Sequence, residues 1–440
     1  LILIFTNKIT YRIKYVFTHI FSSILGIKIK FTSNIEEFIA YEGPKISYAE
    51  KKLGAELFFE AHTLLFERGI REDLEFSVEF KEEVPYFFKT SNESALSYDL
   101  FASSFYLITR YEEYLPSVRD KLGRFQAKES LAFQNGFLQI PVVNLWADEI
   151  LEKIKEKYPE IKTKRAAFSF INVLTIHEAF KYTQKGIGRT ISGILRDIYQ
   201  LKFREIKSRL QVILKMKKDP FNHFDFLINI HRQHHLKSIF FFSIGHPSKY
   251  DCNISVERKF YSELIKSVGD DAFVGVNYSM QSTNDIHVKR AEKKKMEAII
   301  HRPLSRSQQH LFKLNLPFTY RDMAAIGIKK DFSMGYYDTI GFRAGTCTPF
   351  FFYDLKYESL TPLKVFPFAF TDKALKIKHG NDRKKIKQEI LSLIMTVKEF
   401  NGLFISAFHN KTFSKEVRWH GWKDIYLDFI KTIKIIQDEK

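Results

Sequence analysis

Cysteine is nearly missing from this chain: Cys252 and Cys347 are its two thiols in 440 residues. They lie far apart and form no metal-type pair, which excludes a disulfide-stapled scaffold and a thiolate zinc site. Free thiols in a reducing compartment are expected. No apolar run reaches the roughly 18 residues a spanning helix needs, so no membrane span is expected. The leading LILIF is too short for a signal-peptide core and lacks a small-residue cleavage site, so the expected location is cytoplasmic. Neither an internal repeat nor a low-complexity tract occurs.

What is present fits a folded protein with roughly two or three domains. The hydrophobic share is 45% and the charged share 27%, as in soluble globular chains. Lys and Arg number 69 against 51 Asp and Glu, a net charge of +18. Such an excess favours anionic partners. Here Lys, Ile, Phe, Asn and Tyr are all plentiful, as AT-rich coding produces, and no nucleic-acid partner is expected.

Residues 1–5 read as a strand, Ile9 to Leu25 as a helix with one apolar face, and IKIKF as an alternating strand. Further helices are expected over Tyr98 to Leu115 and Val142 to Tyr158. Pro159 and KTKR (162–165) mark the best boundary, giving a smaller α/β domain over 1–160 and a second domain over 165–440. Beyond it, apolar strands alternate with basic helices: AFSFINVL, SIFFFSI, DAFVGV, TPLKVFPF and GLFISAF. Nearly all-apolar strands in strand–helix units imply parallel pairing covered by helices, and the length suits a (β/α) barrel.

Polar residues collect just beyond these strands. Thr175, His177 and Glu178 end the first, Asn277 and Tyr278 follow the third, and His409 and Asn410 close the last. His310, Asp331 and Arg343 each lie beyond a further element. Parallel strands carry their carboxyl ends to one face, so a shared cavity is expected.

From about Arg165 onward the chain resembles the polysaccharide deacetylases of the NodB-homology, carbohydrate esterase family 4 type. The segments that carry the likeness are EAFKYTQKGIGRT, DPFNHFDFL, GHPSKYDCN, SRSQQHLFKLNLPFTYR, DFSMGYYDTIGFRAGTCTPFFFYDL and SAFHN. LIFTNKIT, PKISY, LFASSFYLITRYEEYLP and GRFQAKESLAFQNGFL resemble the additional N-terminal α/β domain of one branch. The resemblance implies a (β/α) barrel and a hydrolase of sugar N-acetyl groups. In that family a divalent, zinc-type metal held by carboxylate and imidazoles polarises the acetamide. A second carboxylate is the base, and a His protonates the leaving amine.

Several positions depart from that pattern. Thr175 and His177 stand where the family has Asp-x-Asp, Asn277-Tyr278 replaces His-Pro, and Gln308 replaces an Arg. His310, Asp331, Arg343 and His409 are retained. A Thr hydroxyl is no general base at neutral pH, and an Asn offers a metal only a neutral oxygen. The expectation is therefore a pseudoenzyme of carbohydrate metabolism, impaired or inactive, that binds a glycan or modulates an active homologue. No cofactor is expected, or a divalent metal if the site works through a rearranged set including His177. A non-enzymatic assembly role with a protein partner is the third reading. Tyr336 and Phe342 are candidates to stack on sugar rings. Glu178 is read as a loop carboxylate facing solvent or pairing with Lys181. The triplet in HRQHH is read as exposed helix surface, GIGRTISG as a turn before the helix ISGILRDIYQLKF, and Cys347 as no nucleophile.

Overall fold

The computed structural model describes residues 1–248 and 251–438. It is a mixed α/β structure with two largely parallel sheets. The first holds β1 (Ile2–Phe5), β2 (Ile29–Thr32), β3 (Lys45–Ala49) and β4 (Leu57–Glu60) in the order β2-β1-β3-β4, all parallel. Thr10 caps the helix Tyr11–Phe17 by accepting from the Ile13 amide, the usual role of a threonine at that position. The helix then widens into a π-type turn over Thr18–Ile24. Helices Leu100–Ile108 and Val142–Lys157 bury their apolar faces in the same core. A short hairpin, β5 (Glu79–Lys81) and β6 (Val84–Tyr86), lies beside it.

The second sheet has nine strands: β7 (Ser169–Ile176), β8 (Ser238–Ser243), β9 (Phe273–Tyr278), β10 (Arg306–Gln309), β11 (Lys330–Asp331), β12 (Phe350–Asp354), β13 (Ser359–Val365), β14 (Phe370–Thr371) and β15 (Leu403–His409). Their order is β12-β13-β11-β10-β9-β8-β7-β15-β14, parallel throughout except for β12 on β13. Among the described residues no ladder joins β12 to β14. The segment after β11 crosses between the two ends instead. Phe368 N donates to Met334 O (3.1 Å), Gly341 N to Ala369 O (2.8 Å) and Leu403 N to Cys347 O (3.1 Å). This is the stretch containing GFRAGTC.

Side chains alternate across each strand. One face of the sheet, with the helices on it, forms a large core that includes Phe170, Leu174, Phe240, Phe242, Val276 and Phe408. The other face closes on a smaller cluster: Val173, Ile239, Phe241, Phe312, Phe332, Phe366, Phe368, Ile405 and Ala407. Five phenylalanines fill it, each contributing about 2–3 kcal/mol on burial.

Several sequence expectations change. The helix expected over ISGILRDIYQLKF begins earlier, spanning Ile187–Tyr199. β10, β11, β12 and β14 are not among the strands expected; β11 and β14 are two residues long, and β10 is polar. His231 of HRQHH is buried rather than exposed, its Nε2 lying 2.6 Å from the Tyr426 hydroxyl and 3.1 Å from the Asn172 amide.

Candidate functional site

The inner cluster is capped at the carboxyl ends of its strands by a polar layer. The alternation that sends Val173 inward also sends Thr175 and then His177 inward. In the same way Gly275 leads to Asn277, and Ala407 to His409. Register places His409 opposite Thr175, and Ser243 and Gln308 opposite Asn277. The sequence puts these residues one or two positions past apolar strand residues, and the pleat does the rest.

The contacts in this layer are neutral ones. Thr175 Oγ1 donates to Gln308 Oε1 (2.8 Å). The Asn277 amide nitrogen donates to Ser243 Oγ (3.0 Å) and lies 2.8 Å from His177 Nδ1. An amide N–H aimed at Nδ1 makes that atom the acceptor, so the ring proton of His177 sits on Nε2. The His177 ring stands edge-on to His310, with centroids 4.4 Å apart, and stacks at 5.1 Å on His409. Burial depresses the His177 pKa well below the ordinary imidazole range, and His310, His409 and Lys411 push it further down. It is neutral at physiological pH.

Two carboxylates stand behind the imidazoles. Asp372 Oδ1 lies 2.7 Å from His409 Nδ1, and Asp372 also accepts from the His409 amide (2.7 Å) and from the Thr412 hydroxyl. Burial would raise its pKa, but the His409 ring and these donors outweigh that and hold it below the usual carboxylate range. Asp251 Oδ1 lies 3.6 Å from His310 Nδ1. Burial pushes the Asp251 pKa up, opposed by Ser248 and the Met280 amide. Neither acid was singled out from the sequence. Asp372 carried a signal, since Thr371-Asp372 opens a helix whose Thr371 cap accepts from Ala374 N.

Other residues named from the sequence lie elsewhere. Asp331 falls on the opposite face of its strand, because Phe332 takes the inward direction. It accepts from Ser307 Oγ (2.9 Å), Ser333 Oγ (2.9 Å) and Ser333 N (2.8 Å). Burial pushes its pKa up to about 6 against those bonds. Arg343 is buried against Glu113 of the first lobe, with Nη2–Oε2 at 2.6 Å and Nε–Oε1 at 2.8 Å. Tyr336 joins that network through Arg110 (3.2 Å), and Phe342 lies in the large core. The aromatic ring beside the histidines is Tyr337, 6.3 Å from His409. Glu178 pairs with Lys185, whereas Lys181 pairs with Glu205 and Glu416. Cys347 is buried, with its thiol pushed up to about 12.

His177 Nε2, His409 Nε2 and Asn277 Oδ1 are buried and have no hydrogen-bond partner among the described residues. Buried polar atoms are rarely left so, and the three together offer both donor and acceptor capacity. As metal ligands the set is weak: two imidazoles and a neutral amide oxygen, with no carboxylate among them. Among the described residues no group of three or more His, Cys, Asp or Glu is placed to hold a metal ion. Beside the layer runs a cleft lined by Glu178, Lys185, Arg189, Asp251 and Arg418, among others.

Residues 2–159 match the model of a family of unknown function, DUF7033. No curated protein matches the chain. Among solved structures, a polysaccharide deacetylase from Mycobacterium smegmatis is similar at 12% identity and a TM-score of 0.38, covering 62% of this chain and 86% of that one. A 7,8-dihydropteroate synthase from Vibrio fischeri ES114 is similar at 8% identity and a TM-score of 0.28, covering 64% and 97%.

Proposed function

We propose that this chain is a polysaccharide-deacetylase-like protein, built on a sheet curled toward a (β/α) barrel, that binds a glycan and does not hydrolyse its amide efficiently. One observation carries the reading: the positions where the resembled family has its two carboxylates hold Thr175 and His177, with Asn277 in place of its His and Gln308 in place of its Arg, and these side chains contact neutral partners. The carboxylates near the layer, Asp372 and Asp251, stand behind His409 and His310 on their Nδ1 sides, so the inward face lacks the anionic donor that a metal-dependent hydrolysis needs. The unpartnered atoms match a sugar's groups instead. His177 Nε2 donates, Asn277 Oδ1 accepts, and a sugar hydroxyl or acetamide does both. Tyr337 offers a ring beside His409.

The test is calorimetric titration with N-acetylated chito-oligosaccharides, alongside acetate release and metal analysis of the purified chain. Binding is expected without acetate release. His177→Ala is expected to weaken binding about three- to tenfold, the worth of one hydrogen bond. Acetate release with stoichiometric zinc would overturn this reading. It would favour a metal-dependent deacetylase using a rearranged set, the alternative suggested by the two open ring nitrogens of His177 and His409. A repair variant, Thr175→Asp with His177→Asp and Asn277→His, restores an anionic donor set on the inward face. It is expected to take up zinc where the parent chain does not. Absence of uptake in a folded variant would count against a preserved pocket frame.

A further inference from the structure

The helical hairpin between β7 and β8 is built inside out. Its first helix, Ile187–Tyr199, buries Gly193 and Asp197, and its second, Phe203–Ile213, buries Arg209 and Val212. Asp197 and Arg209 pair across the hairpin at 2.6 Å, both buried. A helix on a globular protein normally turns its apolar stripe to the core. Here Ile187, Ile191, Leu195 and Ile198, spaced at i, i+4, i+8 and i+11, form one stripe that faces solvent. Tyr199, Leu201 and Phe203 at the hairpin's tip are 89%, 72% and 66% exposed, and Leu214 and Met216 extend the apolar surface beyond the second helix.

The charge of this segment is as one-sided as its polarity. Residues 186–218 hold nine Lys and Arg against two acids, Asp197 and Glu205. Both acids are consumed internally, by Arg209 and Lys181 respectively. Lys202, Arg204, Lys207, Lys215, Lys217 and Lys218 remain exposed beside the apolar stripe. Protein interfaces are depleted in lysine, whereas amphipathic helices that lie in a bilayer surface combine an apolar face with flanking cations. We infer that the 187–216 hairpin docks this protein on an anionic lipid bilayer, with its apolar stripe and aromatic tip in the interfacial layer and its cations on the headgroups. The opposite side of the hairpin supplies Arg189, Gly193 and Asp197 to the cleft beside the histidines. Docking therefore sets that cleft close to the membrane plane.

The experiment is cosedimentation of the full chain with vesicles of phosphatidylcholine alone and of phosphatidylcholine with an equal share of phosphatidylglycerol. The chain is expected to pellet with the anionic vesicles at low salt and to stay in solution with the neutral ones. Ile191→Gln with Leu195→Gln keeps the net charge, so it isolates the apolar stripe; it is expected to lower partitioning at least about tenfold with an unchanged melting curve. A wild-type chain that stays in solution with anionic vesicles overturns the inference, as does a double variant that pellets as well as wild type. Light scattering covers the competing occupant. A wild-type dimer that the double variant turns into monomer, with no vesicle binding, assigns the face to a second copy of the chain.

Discussion

The Asp372–His409 pair shows how much one buried carboxylate organises. Asp372 fixes the ring of His409 and accepts from its main chain and from Thr412. Its pKa is depressed in the folded state, so its stabilising contribution is fully present above about pH 4, the unfolded value. That contribution is lost as pH falls through the lower folded value. Asp372→Asn is expected to cost about 1–3 kcal/mol in urea unfolding at neutral pH and to flatten the acid limb of the stability curve. An unchanged midpoint would show that the clamp is dispensable. Asp331 has the opposite sign. Its folded pKa is about 6, so its contribution is fully present below about pH 4 and lost as pH rises through 6. The placements of Thr175 and His177 were readable because a long apolar strand sets the phase of its own pleat. Asp331 and Asp372 adjoin two-residue strands, which carry no period from which a direction can be read.

At the level of elements, the inner cluster depends on one missing side chain. Gly275 lies on β9, and a Cβ there would sit 2.4 Å from the Phe241 ring and 3.1 Å from Arg306 O. The phenyl group occupies the space, and the backbone oxygen behind cannot retreat. Gly275→Ala is expected to destabilise by about 1–3 kcal/mol through overpacking, measured by chemical denaturation. An increase in stability would mean that the strand shifts freely. The apolar strands β7, β8, β9, β13 and β15 were all legible, within a few residues at their ends, from composition. β10 was not. Its Ser307, Gln308 and Gln309 are buried and hydrogen-bonded to other elements, which a one-dimensional hydrophobicity pattern cannot display. His231 was misread for the same reason, since its partners Asn172 and Tyr426 come from distant parts of the chain.

Across the whole molecule, the two lobes are joined by a buried ion network. Glu113 receives both Arg110 and Arg343, while Arg110 also donates to the Arg343 carbonyl. Burial alone would raise the Glu113 pKa, but the two guanidinium groups hold it at about 2. Against its usual value near 4.5, this is worth on the order of 3 kcal/mol, present above about pH 4.5 and lost as pH falls toward 2. Glu113→Gln leaves Arg343 buried without its counter-charge and is expected to cost about 3–5 kcal/mol. Both lobes should melt at a lower temperature in one calorimetric transition; two separated transitions would show independent units. Pro159 and the basic run after it lead the sequence to an expected boundary near residue 160. The mortar between the lobes was not legible, because its residues lie more than two hundred positions apart.

β12 is the outermost strand of the large sheet and pairs on one side only. The first lobe roofs it: the Tyr15 hydroxyl donates to Phe351 O (2.8 Å), and Tyr353 packs against the rings of Tyr15 and Phe105. Uncovered strand margins recruit other chains. A protease nick near residue 160 that freed the lobe would leave behind a template for templated stacking, and the remnant would be recovered as fibrils rather than as a soluble half.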